Sequence, residues 1–130
     1  MQTLGGVHLL LVEDDLDSRE VMKLVMEYQG ALVLAVEDAK AALAVLTTMR
    51  PDALVTDISM PQQDGVELVR EARGRGLLEE VPTLAVTAFT FSEAQLRDAG
   101  FDAYLRKPVD PNKLCQTVQE LVRRRHSSGQ

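Results

Sequence analysis

The sequence is poor in cysteine and contains no long hydrophobic segment. Cys115 is the single cysteine, so the chain cannot form an internal disulfide, and a reducing compartment suits it. The apolar run nearest the N-terminus, Val7–Val12, is far too short to span a membrane. The same region lacks the basic start and the small-residue cleavage site of a signal peptide. We therefore expect a cytoplasmic protein with no membrane partner.

Positive charge is also scarce. The chain carries 14 Lys and Arg residues against 20 Asp and Glu residues, which gives a formal net charge of −6. Sequence-independent binding of nucleic acids depends on cations that neutralise phosphates, so this composition argues against a direct nucleic-acid partner. The only basic run, Arg123–Arg125, is typical of the solvated last turn of a helix.

The length of 130 residues fits one domain, and we predict a domain over residues 1–125 followed by a disordered tail at 126–130. Short apolar runs alternate with helical patterns, which predicts βαβ units and a mainly parallel sheet. Right-handed crossovers then place helices on both faces of a doubly wound α/β sheet. The predicted strands are Val7–Val12, Leu32–Val36, Ala53–Thr56, Thr83–Thr87 and Ala103–Leu105.

The helical segments carry apolar residues at helical spacing and have signals at their ends. Gly30 is placed to end the first helix, and Asp38 is placed to cap the second. Asp110 followed by Pro111 predicts the start of the last helix. In the first helix, one face is formed by Val21, Leu24, Val25 and Tyr28.

Polar residues follow most of the predicted strands. Because the carboxyl ends of parallel strands share one edge, where ligands bind in such sheets, we expect these side chains to meet. Carboxylate oxygens suit Mg²⁺, lysine and threonine can bind phosphoryl oxygens, and an aspartate can accept a phosphoryl group. The residues are Glu13, Asp14 and Asp15 after the first strand, Asp57 after the third, Thr87 at the end of the fourth and Lys107 after the fifth.

Taken singly, each of these residues has an ordinary structural explanation. An acid at a strand end commonly caps a helix, as Asp15 or Asp17 would here, and Asp57 alone would be a turn residue. Thr87 alone would be a common strand residue, and Lys107 alone would be a surface lysine. Their joint placement at one edge of the sheet favours a functional site.

Four segments of the sequence, in this order and spacing, resemble the receiver domains of two-component signalling. The resemblance implies a flavodoxin-like (βα)5 fold whose parallel strands lie in the order 2-1-3-4-5. Residues 99–110, AGFDAYLRKPVD, are especially similar to receivers of hybrid histidine kinases. The four segments are LLLVEDD at 9–15, TDISMPQQDG at 56–65, VTA at 86–88 and YLRKP at 104–108.

The resemblance also implies the chemistry of the strand ends. Asp57 is implied to be the phosphoacceptor, which takes its phosphoryl group from a phosphohistidine. Glu13, Asp14 and Asp57 are implied to hold Mg²⁺ or Mn²⁺, with Asp14 as a direct ligand and the backbone carbonyl of Ser59 as a further one. The domain is thus not classed as an enzyme, although it catalyses its own phosphorylation and dephosphorylation.

Further roles concern the phosphoryl contacts and the response to phosphorylation. Thr87 and Lys107 are implied to bind the phosphoryl group, and Tyr104 to reorient when Thr87 moves inward. Pro108 is implied to follow a cis peptide bond, and Gly65 to permit a tight turn into the third helix. The implied partners are a histidine kinase or histidine phosphotransfer protein and an unknown downstream protein.

Three alternatives belong to other classes. Asp15 and Asp17 fit the nucleophile and the general acid of a haloacid dehalogenase-like, Mg-dependent phosphatase, but only Asp110 closely follows Lys107, where that class needs an acidic pair. A receiver-like module that is never phosphorylated would not need the complete set of site residues. A flavodoxin-type nucleotide-binding domain would need a Gly-rich loop after the first strand, and none is present.

Overall fold

The structure, a computed structural model, describes residues 3–58, 64–88 and 93–128. Five strands and five helices alternate along these residues, as the apolar runs predict. The strands are β1 His8–Val12, β2 Leu32–Val36, β3 Ala53–Asp57, β4 Thr83–Thr87 and β5 Ala103–Arg106. The helices are α1 Leu16–Tyr28, α2 Ala39–Leu46, α3 Asp64–Gly74, α4 Glu93–Ala99 and α5 Pro111–Ser128.

The strands form one parallel sheet in the order β2-β1-β3-β4-β5, which confirms the predicted arrangement. In its middle, Leu10 of β1 pairs with Leu34 of β2 on one side and with Leu54 of β3 on the other. The chain moves outward from β1 to β2 and then crosses back to β3. The strand order therefore reverses between β1 and β3, where sheets of this kind bind ligands.

Side chains alternate between the two faces of the sheet and form two apolar clusters. On one face, Leu10 and Val12 pack with residues of α2, α3 and α4. On the other face, Leu9 and Leu11 pack with residues of α1 and α5. Every residue of β3 and β4 is buried, because helices cover both faces of these central strands. The core thus holds the carboxyl ends of the strands in fixed positions.

The helix ends follow the predicted signals at most positions. Asp38 accepts a hydrogen bond from the Ala41 N–H and caps α2, and Gly30 follows α1 with φ of +99°. The last helix begins at Pro111, as the sequence predicts, and continues to Ser128. Among the described helices, α5 included, none has the length and apolar composition needed to cross a membrane.

The face of α1 that packs on the sheet is not the face that the apolar pattern indicates. Met22 and Met26 are buried with the strands, and Val25 is partly buried beside them. Both sets of residues recur at helical spacing, and the packing of α1 against β1 and β2 turns the methionines inward. The other set stays in solvent as an apolar surface. Its members are Val21, Leu24 and Tyr28, which are 58%, 62% and 81% exposed.

We predict that the two faces of α1 differ sharply in their contribution to stability. Met26→Ala should lower the free energy of unfolding by about 2–4 kcal/mol, because it leaves a cavity under the helix. Leu24→Ala is the matched control and should change it by less than about 0.5 kcal/mol. Urea unfolding followed by circular dichroism measures both values. Equal losses in the two variants would contradict this orientation of α1.

Candidate functional site

The predicted polar residues meet at the carboxyl edge of the sheet. Glu13 directly follows β1, Asp57 is the last residue of β3, and Thr87 is the last residue of β4. Lys107 follows β5, and its backbone N–H donates to the Thr87 carbonyl at 2.8 Å. Because β1, β3, β4 and β5 are successive neighbours in the sheet, their ends bring these residues together.

A lysine ammonium lies between two buried carboxylates. Lys107 Nζ donates to Asp57 Oδ2 at 2.9 Å and to Glu13 Oε1 at 3.0 Å. The exposed fraction is only 3% for Asp57 and 1% for Glu13, so water contributes little to their solvation. Buried carboxylates are stable only when they are paired and hydrogen-bonded, and Lys107 provides that pairing for both.

Burial and charge shift the pKa values of this group. Burial, together with the interaction with Asp57, raises the pKa of Glu13 to about 7, although the hydrogen bonds from Lys107 and Asp15 act in the opposite direction. Burial alone would lower the pKa of Lys107, but its hydrogen bonds to Asp57 and Glu13 outweigh that effect and raise the pKa. Lys107 therefore remains a cation at neutral pH.

Three carboxylates at this edge have the geometry of a cation site. Glu13, Asp14 and Asp57 each offer an oxygen atom, and these atoms lie within 4.8 Å of one another. Asp14 is exposed, whereas the other two are buried, so the cluster opens to solvent on the Asp14 side. Oxygen donors of this kind fit Mg²⁺, which prefers carboxylates and retains several waters. The predicted ligand Ser59 lies outside the described residues.

The loop between β1 and α1 gives Asp15 a different role. Asp15 Oδ2 accepts a hydrogen bond from the Ser18 N–H at 2.8 Å and caps α1. This hydrogen bond lowers the pKa of Asp15. Asp17 lies in the first turn of α1 and is exposed. Among the described residues, the carboxylate cluster contains Glu13, Asp14 and Asp57 but neither Asp15 nor Asp17. This arrangement argues against the phosphatase alternative.

The other predicted residues lie on β4, on β5 and just after β5. Thr87 is 2% exposed at the end of β4, opposite Arg106 of β5. Tyr104 pairs with Ala85 further down the same strands and is 39% exposed. The peptide bond between Lys107 and Pro108 is cis, as the resemblance implies.

Sequence reasoning did not identify the role of Arg19. Its Nη1 donates to the Glu13 backbone carbonyl at 2.9 Å, which joins the first turn of α1 to the end of β1. The only signal in the sequence is a cation four residues after the capping acid Asp15, a spacing that many surface helices share. The contact becomes evident only from the path of the loop.

Position 65 requires glycine, but for a different reason from the one predicted. It lies in the first turn of α3, and the positive φ angles of the described glycines are found elsewhere, as at Gly30. A Cβ atom on Gly65 would overlap Ile58 Cγ2 and would lie 2.8 Å from the Asp57 carbonyl oxygen. Close approach of α3 to the end of β3, rather than a tight turn, therefore requires glycine here.

A parallel sheet in this order, with acids and a lysine at its carboxyl edge, defines the receiver class of signalling domains. The family model of the response regulator receiver domain matches residues 9–119, and the chain belongs to this family. Receiver domains are signalling domains and are not generally classed as enzymes. The predicted class and fold are thus confirmed.

Similar proteins come from diverse bacteria. The chain is 42% identical over 123 residues to an uncharacterized 14.6 kDa protein of Leptolyngbya boryana, with 92% of this chain and 93% of that protein covered. It is 37% identical over 121 residues to the response regulator MprA of Mycobacterium tuberculosis, with 92% of this chain and 52% of MprA covered. The chain therefore spans about half the length of MprA.

Solved structures of receiver domains superimpose closely on this fold. The receiver domain of the sensor histidine kinase PA1611 from Pseudomonas aeruginosa, with magnesium coordinated in its active-site cleft, gives a TM-score of 0.81 at 29% identity. That match covers 91% of this chain and 98% of the PA1611 chain. The chemotaxis response regulator CheY4 of Vibrio cholerae gives 0.81 at 26% identity, with 89% and 98% covered.

We predict that a single methyl group at position 65 disturbs the site. Gly65→Ala should lower the free energy of unfolding by about 1–3 kcal/mol, because backbone at Asp57 must move to admit the Cβ. Gly74→Ala, at the other end of α3, is the matched control, since a Cβ there meets nothing within 4 Å. It should be neutral or stabilising by up to about 1 kcal/mol. Urea unfolding compares them, and equal stability of both variants would contradict the close approach.

Proposed function

We propose that this domain takes a phosphoryl group from a phosphohistidine onto Asp57 and alters its interaction surface in response. The observation that carries this proposal is the contact of the Lys107 ammonium with the buried carboxylates of Asp57 and Glu13, at 2.9 and 3.0 Å. A carboxylate already held by a cation can receive an anionic group, because the cation also stabilises the added charge.

The proposed transfer forms one bond and breaks one bond. A carboxylate oxygen of Asp57 bonds to phosphorus while the bond from phosphorus to the donor histidine nitrogen breaks, and that electron pair leaves with the imidazole. Lys107 stabilises the negative charge on the phosphoryl oxygens, and the Thr87 hydroxyl donates to one of them. The packing of β3 in the core keeps Asp57 oriented toward the open edge.

Glu13, Asp14 and Asp57 are proposed to hold Mg²⁺ or Mn²⁺, with the backbone carbonyl of Ser59 as a further ligand. When bound, the ion supplies positive charge beside the transferring phosphoryl oxygens. The spacing of the carboxylate oxygens supports this assignment, since all lie within 4.8 Å of one another. The magnesium in the cleft of the similar PA1611 receiver domain supports it further.

The proposed response involves the neighbouring ends of β4 and β5. Thr87 is drawn toward the modified Asp57, and the Tyr104 side chain reorients into the space that Thr87 leaves. Tyr104 is 39% exposed, so its reorientation changes the surface formed by α4, β5 and α5. Phosphorylation thereby shifts the population between two surfaces, one of which a downstream protein recognises.

The proposed donor is a histidine kinase or a histidine phosphotransfer protein, and the exposed apolar face of α1 is its proposed docking surface. A groove of about 620 Å³ lies between α1 and the segment after β5, and both Val21 and Lys107 line it. Leu24 and Tyr28 of α1 line a second groove. A protein that brings its phosphohistidine to Asp57 must cover the surface beside Lys107, so it covers this apolar face as well.

We predict that Asp57 is the only acceptor of the phosphoryl group. Asp57→Asn should abolish phosphorylation by acetyl phosphate, because the amide cannot form the acyl phosphate. Asp15→Asn should leave phosphorylation largely intact, since Asn also caps helices and α1 remains capped. Intact mass and peptide mapping locate the group. Phosphorylation of Asp15 would instead support the phosphatase alternative.

We predict that the apolar face of α1 serves transfer from a protein donor but not the chemistry. The double variant Val21→Asn, Leu24→Asn should lower the rate of transfer from the cognate phosphohistidine protein about tenfold, and leave acetyl phosphate labelling unchanged. The matched control is Leu32→Asn, Leu34→Asn, because these β2 residues are also exposed but lie on another surface. Rapid-quench measurements compare the rates. An equal effect of both double variants would contradict docking on α1.

A further inference from the structure

Every polar group of Glu13 forms a hydrogen bond. Its backbone N–H donates to the Val36 carbonyl at 3.0 Å, and its backbone carbonyl accepts from Arg19 Nη1 at 2.9 Å. Its two carboxylate oxygens accept from Lys107 Nζ at 3.0 Å and from the Asp15 N–H at 3.1 Å. The loop after β1 is therefore fixed by side chains as well as by the sheet.

These contacts determine how Asp14 is presented. The peptide group before Asp14 contains the Glu13 carbonyl, which Arg19 holds, and the peptide group after it contains the Asp15 N–H, which Glu13 holds. Asp14 is exposed, so burial does not restrain its side chain. Its direction depends on the two flanking peptide groups, and one of them is fixed by Arg19.

We propose that Arg19 is a positioning residue that aims the Asp14 carboxylate at the divalent cation. This inference rests on the metal site of the proposed function. Arg19 touches neither the ion nor the phosphoryl group in this role, and it acts through the carbonyl of Glu13. Residues that orient metal ligands in this way commonly change metal affinity by about 10–100-fold when replaced.

Positioning and charge have opposite consequences for cation binding. Arg19 is itself a cation close to the acidic cluster, so its charge alone opposes the binding of Mg²⁺. If charge were its only effect, removing it would tighten Mg²⁺ binding. If Arg19 positions Asp14, removing it weakens binding despite the loss of repulsion. The sign of the change therefore separates the two roles.

The test measures Mg²⁺ affinity of the full chain by isothermal titration calorimetry. Arg19→Met should weaken binding about tenfold. Arg19→Lys should weaken it less, because its ammonium group can still donate to the Glu13 carbonyl. The matched control is Lys23→Met, which removes a cation one turn further along α1 and should change affinity by less than about twofold. Urea unfolding in EDTA should show that Arg19→Met and Arg19→Lys are both folded under the conditions of the titration, so that a loss of affinity is not a loss of fold.

Two results would overturn the inference. Binding by Arg19→Met that equals or exceeds that of the wild type would show that Arg19 does not position Asp14. Binding by Arg19→Lys that is as weak as that of Arg19→Met would show that the hydrogen bond to Glu13 is not what matters. Failure of the metal site itself is distinguishable, because then the wild type would bind no Mg²⁺ or Asp14→Asn would bind it as well as the wild type.

Discussion

The functional edge of this domain depends on the ion pairs that the Lys107 ammonium group forms with two carboxylates. Lys107 lies between Asp57 and Glu13, two carboxylates that the fold buries and that would otherwise repel each other. A charge taken out of water is costly unless it is paired, so the lysine allows these acids to lie inside the edge of the sheet. The contact forms only if β1, β3 and β5 end at the same level, which ties the chemistry to the architecture.

The order of the strands explains how residues far apart in the chain meet. Lys107 and Glu13 are separated by 94 positions, yet their side chains hydrogen-bond across the ends of the strands. Helices cover both faces of β3 and β4, so the polar groups of Asp57 and Thr87 lie at the carboxyl ends of these strands rather than in the middle of a face. The exposed apolar residues of α1, such as Val21, border the same edge. Chemistry and partner recognition therefore share a boundary in the proposed function.

Much of the fold and of the site could be predicted, because the relevant signals are local. The apolar run Leu32–Val36 became β2 without a change of bounds, and Asp57 and Thr87 follow or end such runs directly. The buried face of α1 could not be predicted in the same way. Met22 and Leu24 belong to two apolar stripes with the same helical spacing, and only packing against the sheet selects one of them.

By itself, the sequence determined which segments form strands and which polar residues stand at their carboxyl ends, because composition and spacing along the chain carry that information. Only the tertiary structure decided that Arg19 holds the Glu13 carbonyl, that α3 approaches Asp57 closely enough to require Gly65, and that one apolar stripe of α1 faces solvent. Each of these features depends on a distance between two elements. Such distances are set by how helices pack on the sheet, which no short segment of sequence encodes.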